Sequence, residues 1–195
     1  MSTLDRLLGG GFAPGSVVAL VTPAAAQVDP LLAAFVADRD VCYLSTERPA
    51  GELRRQYDTA RGRFDVGRTS ADDLLAAPEA ALDSAAQELV VVDPVNALEG
   101  TGDEARYRAF LDAVKRRVDE TGGIALLHCV EMGSPDLRDR TLYRADAVCH
   151  LVQTVDATAV TTSLVVPKHR GGRPLLDPVK LDLTDRVRVD TSRDI

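Results

Sequence analysis

The sequence predicts an α/β fold: a mostly parallel central sheet flanked by helices, with an antiparallel C-terminal extension. Two observations carry that expectation. Up to Asp146, short apolar runs alternate with longer amphipathic ones, the rhythm of buried parallel strands covered by helices. Beyond Asp146 the helical runs stop, and "AVCHLVQTV", "TAVTTSLVVPK" and "VKLDL" follow one another as strands. At 195 residues, 45% hydrophobic and 27% charged, the chain can bury one sizeable core. No linker, repeat or low-complexity segment divides it, so residues 1–195 read as a single domain.

Each element has its own warrant. "SVVALVT" is a first strand, buried on both faces. "DPLLAAFVAD" is a helix that Asp29 can N-cap, with Pro30 at the first helical position, where a missing N–H costs nothing. "VCYLST" is a second strand, followed by the helix "PAGELRRQYDTARG". "SADDLLAAPEAALDSAAQ" is alanine-rich and helical, interrupted near Pro78. "ELVVVD" is a third strand, read as fully buried from its run Leu89 to Val92. "DEARYRAFLDAVKRRVDETGG" is the clearest helix, with Tyr107, Phe110, Leu111, Val114 and Val118 on one face and Gly122 and Gly123 at its end. "IALLHCV" is the fourth strand.

Composition narrows the function classes. The net charge is −7, aspartate outnumbers glutamate, and only Lys115, Lys168 and Lys180 are lysines. Such a surface repels nucleic acid and anionic membranes. It resembles the proteins of salt-loving archaea. No apolar run approaches the roughly 20 residues that cross a bilayer, and "MSTLDRLLGGG" lacks the basic-then-apolar order of a signal peptide. The expectation is a soluble cytoplasmic protein. Cys42, Cys129 and Cys149 lie far apart, and His128, His150 and His169 have no ligand spacing, so no metal site is expected.

"LDRLLGGGFAPGSVVALV" resembles the lead-in of KaiC-like proteins in the RecA ATPase superfamily. The resemblance continues in order through "VCYLSTE", "LVVVDPVNAL", "IALLHCVE", "RADAVCHLVQT" and "SLVVPKHRGG", covering nearly the whole chain. It implies a RecA-like P-loop NTPase fold, with Mg-ATP as cofactor only if the loop still works; the composition adds the likeness to haloarchaeal proteins. The phosphate loop departs from the pattern. Sliding the family's loop on without a gap puts Pro23 at its first glycine, Val28 at its last, Asp29 at its lysine and Pro30 at its hydroxyl.

Those replacements remove what binds phosphate. A P-loop wraps phosphates with backbone N–H groups at a helix N-terminus while lysine neutralises them. Pro23 and Pro30 offer no N–H, and Val28 resists the φ > 0 conformations open to glycine. One unit charge at ~4 Å and an effective dielectric of ~20 is worth roughly 4 kcal/mol. Exchanging lysine for aspartate swings about twice that, as much as the roughly 8 kcal/mol of a micromolar ligand. No ATP or Mg²⁺ is therefore expected to bind.

By resemblance Asp93 is the Walker B aspartate, Glu47 the glutamate that polarises the attacking water, and His128 the polar residue that senses the γ-phosphate. Each has a plainer reading: a cap for the turn at Pro94, an exposed turn residue, and a partly buried strand histidine. The resemblance also makes Lys168, Arg170 and Gly171 the finger that reaches a neighbouring subunit's nucleotide; the plainer reading is a basic hairpin tip that blunts a sheet edge. The expected function is a pseudo-ATPase that regulates through a protein partner, an active KaiC-like relative or further copies of itself. The alternatives are a divergent ATPase using Glu47 and Asp93, and a subunit that lends its finger to an active relative in a mixed ring.

Overall fold

Val17 to Pro23 form strand β1, and every one of these side chains is buried until the last. Strands buried on both faces belong inside a sheet, and β1 has a parallel neighbour on each side. The computed structural model describes residues 8, 10–57, 62–83, 88–133, 136–156, 159–184 and 187–190. The other strands are β2 (Val41–Ser45), β3 (Phe64–Arg68), β4 (Leu89–Asp93), β5 (Ile124–Glu131), β6 (Ala147–Val155), β7 (Val160–His169), β8 (Leu175–Leu183) and β9 (Val187–Val189). They form one sheet in the order β3-β2-β4-β5-β1-β6-β7-β8-β9. Pairing is parallel from β3 to β6 and antiparallel from β6 to β9. The expected α/β architecture is the observed one.

The helices are α1 (Asp29–Val36), α2 (Ala50–Tyr57), α3 (Ala71–Ala76), α4 (Pro78–Leu82), α5 (Asn96–Glu99), α6 (Glu104–Thr121) and α7 (Arg138–Arg144). Alternation along β1 divides the core in two. Val17, Ala19 and Val21 pack with Tyr107, Phe110 and Val114 of α6 on one face. Val18 and Leu20 pack with Leu31, Leu32 and Phe35 of α1 on the other. Helix limits follow local chemistry. Ser70 caps α3 by accepting from the Asp73 N–H at 3.1 Å, and Asp103 caps α6 through the Arg106 N–H at 3.1 Å. Gly122 ends α6 in the left-handed conformation, φ 69°. Pro78 breaks the alanine-rich region as expected, since it can begin α4 but cannot continue α3.

Several expectations need correction. Asp29 is not the N-cap of α1. Val28 holds that position, and its carbonyl accepts from Leu31 at 2.9 Å and Leu32 at 3.0 Å with no side-chain cap. Asp29 and Pro30 are the first two helical residues, and the Asp29 carboxylate turns to Arg48 and Tyr57 instead. Strands β3 and β9 and helix α7 lacked a sequence signal. β3 is a sheet edge in which Phe64 to Val66 are only half-buried and Gly67 is exposed, so "FDVGR" never needed an apolar run. In α7 only Thr141 is buried, so its pattern carries no stripe. The lead-in at residues 1–7 and the expected helical continuations at residues 58–61 and 84–87 lie outside the described residues. Among the described residues, no helix is long and apolar enough to cross a membrane.

Candidate functional site

The C-terminal edge of a parallel sheet is where open α/β folds place ligands, and here it carries a connected polar network. Asp93 closes β4 and is buried. Its Oδ1 lies 2.6 Å from His128 Nδ1 on β5, and His128 Nε2 lies 2.9 Å from Thr22 Oγ1 on β1. An ionised carboxylate only accepts, so Nδ1–H donates to Asp93, and in the neutral ring Nε2 accepts the Thr22 proton. Asp93 Oδ2 accepts from the Tyr43 hydroxyl on β2 and from Arg48 Nη2 at 2.8 Å. Arg48 Nη1 reaches Asp29 Oδ1 at 3.3 Å and Gln56 Oε1 at 2.9 Å. The Tyr57 hydroxyl at the end of α2 donates to Asp29 Oδ1 at 3.2 Å.

The electrostatics of this cluster are settled by pairing. Burial alone would raise the Asp93 carboxyl, but His128, Tyr43 and Arg48 hydrogen-bond its charged form and bring it down to about 2. Burial, followed by the Asp93 charge, pushes the Tyr43 phenol far above its ordinary range. Burial also raises Tyr57, to about 12, against the lowering pull of Arg48. Burial opposes the Arg48 charge, yet Tyr43, Tyr57 and Asp93 outweigh it and keep the guanidinium protonated. At neutral pH this edge sets the Arg48 cation between the Asp29 and Asp93 side chains, with neutral tyrosines beside it.

These residues do not fit Mg-ATP. The strand runs straight into Pro23, and the turn after it spends the Ala26 N–H on the Pro23 carbonyl at 3.0 Å. Helix α1 opens with the Asp29 carboxylate, and Pro30 behind it has neither N–H nor hydroxyl. Half-buried Val28 packs against the α1 face of the core. Both Asp93 oxygens are already bonded, and a metal drawn to them would meet the Arg48 guanidinium. Among the described residues, no group of three or more His, Cys, Asp or Glu side chains is arranged to hold a metal ion.

The structure therefore joins three of the singled-out residues: Arg48 links Asp29 to Asp93, and Asp93 bonds His128 directly. The Asp93 side chain turns inward to this network rather than capping the turn at Pro94. Glu47 stays outside. It is exposed in the turn after β2, where its N–H approaches Ser45 Oγ at 3.4 Å. Sequence reading missed Thr22, Tyr43, Arg48 and Tyr57. Two of the chain's four tyrosines flanking an arginine was the available signal, and it was weak.

Lys168, Arg170 and Gly171 lie at the opposite edge. Lys168 pairs with Val148 and His169 with Ala147, which is level with Val18 at the start of β1. Six residue steps along β1 put about 20 Å between this turn and the phosphate loop. Lys168 Nζ donates to the Leu142 and Tyr143 carbonyls at 2.9 and 2.8 Å, closing the C-terminal end of α7. Arg170 Nη1 reaches Asp146 Oδ1 at 3.4 Å, and Asp146 Oδ2 accepts from the Val17 N–H at 3.0 Å. Gly171 turns the chain at φ 76°, where a side chain would be strained.

Comparison with solved structures assigns the fold. A KaiC-like protein from the hyperthermophilic archaeon Pyrococcus horikoshii OT3 superposes with TM-score 0.75 at 16% identity, over 97% of this chain and 96% of that one. The flagellar accessory protein FlaH from Methanocaldococcus jannaschii superposes with TM-score 0.74 at 13% identity, over 97% of this chain and 95% of that one. The molecule has the RecA-type fold of KaiC-like proteins. No curated protein sequence matches it. One family model spans residues 1–195, and the chain belongs to that family, the Family of unknown function (DUF7125).

Proposed function

We propose that this chain is a KaiC-like RecA-fold pseudo-ATPase of the cytoplasm, which has lost phosphate binding and works as a regulatory, protein-interaction module. One observation carries the reading. Arg48 spans Asp29 and Asp93, bonding the residue that replaces the loop lysine to the residue that would organise Mg²⁺. A phosphate meets a carboxylate at this helix end, and a metal meets a guanidinium. Both charges are reversed from what Mg-ATP requires. No nucleotide, metal or nucleic acid is proposed as a ligand. The FlaH likeness makes a role in motility one candidate beside signalling and gene regulation.

Thermal unfolding with and without millimolar Mg-ATP tests this. A ligand at ~100 times its Kd adds roughly 2.7 kcal/mol of stability, which shifts the midpoint of a chain this size by about 5–10 °C. We expect no shift. A rise with Mg-ATP, absent with inorganic phosphate, would support the divergent-ATPase alternative with Glu47 and Asp93 in its site. Restoring lysine at position 29 alone should not create binding, because Pro23, Val28, Pro30 and Arg48 remain.

A second reading rests on the placement of Lys168 and Arg170. They lie at the end of the sheet opposite their own loop, so they would serve another subunit's nucleotide rather than their own, as in a subunit lending cations to an active relative in a mixed ring. Turnover of such a relative should fall with Lys168→Ala plus Arg170→Ala, since a cation supplied in trans to a transferring phosphate is worth about 10³-fold or more. Equal turnover with wild-type and doubly substituted chains, both shown to bind, leaves Lys168 as the closure of α7 and Arg170 as a partner of Asp146.

A further inference from the structure

The site at the C-terminal edge is shaped for a cation, and the shape is specific. The Arg48 guanidinium meets five oxygen acceptors: Asp29 Oδ1 at 3.3 Å, Gln56 Oε1 at 2.9 Å, Asp93 Oδ2 at 2.8 Å, and the Tyr43 and Tyr57 hydroxyls at 3.0 and 3.3 Å. Its two terminal nitrogens serve different carboxylates. A planar fork can do this and a point ammonium cannot. The Tyr57 ring adds a face 5.8 Å from the guanidinium carbon.

The walls of this site hold one another without Arg48. Asp93 is fixed by the Tyr43 hydroxyl and by His128, which Thr22 holds in turn. Asp29 is fixed by the Tyr57 hydroxyl, and the two tyrosine rings stack at 5.6 Å. Arg48 itself enters from the turn between β2 and α2, with its side chain 25% exposed. A receptor whose acceptors are already in place loses little order when its occupant leaves.

We propose that this edge is a receptor for a guanidinium group, filled in cis by Arg48, and that the ligand it takes when Arg48 withdraws is an arginine side chain of a protein partner. The proposal rests on the reading that the loop binds no phosphate, and it names the ligand class of that same site. Asp29 is half exposed and Glu47 stands free in the adjoining turn, so an incoming arginine meets negative charge before it meets the buried carboxylate.

The test is occupancy in trans. Arg48→Ala should lower the unfolding temperature, and about 50 mM methylguanidinium should then raise it by about 2 °C or more. The wild-type chain, its site already filled, should show no rise. At tens of millimolar the denaturing action of guanidinium compounds is small. N-acetylarginine methylamide should act like methylguanidinium, and Asp29→Asn in the Arg48→Ala background should abolish both effects. If Arg48→Ala does not fold, Arg48→Gln keeps the stem and one donor and takes its place. Three results overturn the proposal: no rise with methylguanidinium, an equal rise with tetramethylammonium or Mg²⁺, or a rise with methylguanidinium but none with the capped arginine. Stabilisation of the wild-type chain by Mg-ATP would instead sink the pseudo-ATPase reading and leave the guanidinium result standing by itself.

Discussion

Asp93 is a buried carboxylate that stays ionised because three neighbours donate to it, and that condition has a pH signature. Its folded-state value is about 2, below the ordinary aspartate value of 3.8. A depressed acid stabilises the fold fully above its unfolded pKa, and that contribution fades as pH falls through the folded value. The window is therefore about pH 4 down to about pH 2, and the contribution is about 2 kcal/mol. Urea unfolding of wild type and Asp93→Asn should differ most above pH 5 and converge near pH 2. A gap that persists at pH 2 means that the carboxylate's charge is not what matters. Asp29, Asp93 and His128 were singled out in the sequence through the KaiC-like resemblance, which marks the loop and the strand ends where they stand. Arg48 was not. Its two carboxylates lie 19 and 45 positions away, and only the folded chain brings them to one guanidinium.

Between elements, a second buried pair does structural work. Glu99 ends α5 with no exposure at all, and Arg138 at the start of α7 reaches both of its oxygens at 2.8–2.9 Å. Thr141 also donates to Glu99, and its hydroxyl meets the Tyr107 hydroxyl of α6 at 2.6 Å. Three helices are thus tied at one carboxylate. Removing one partner strands a buried charge, so Arg138→Ala should cost about 3–5 kcal/mol in chemical denaturation. Replacing both, Glu99→Gln with Arg138→Met, should cost much less. If the single and double changes cost the same, the pair is acting by packing alone. The tie also explains why α7 escaped sequence reading. Polar contacts rather than an apolar stripe hold it, and the 3.6-residue period has nothing to report. β1, β2, β4, β5 and α6 were legible for the opposite reason, since burial wrote continuous or periodic apolar runs into them.

For the whole molecule, the net charge of −7 sets the salt response. Simple screening should be complete by about 0.5 M, where the Debye length is only a few ångströms. A chain adapted to molar salt should keep gaining unfolding temperature beyond that point, and a flat curve above about 0.5 M refutes the salt-loving reading. The sheet has a different consequence. Thr22 near one end of β1 is tied to the Asp93 network, and Val17 at the other end is tied to Asp146, which also holds Arg170. Between them the strand is paired on both sides through Val18 to Val21 and is almost without exposure. Small local fluctuations should therefore not bring its amide protons to solvent. Their deuterium exchange should report only the global unfolding free energy, while amides near Val155 and Val160, both largely exposed, exchange through local fraying. The two edges of the molecule are then one cooperative unit, and a substitution such as Arg48→Ala that weakens the first should quicken exchange at Val18 and Leu20 by the factor its stability loss dictates.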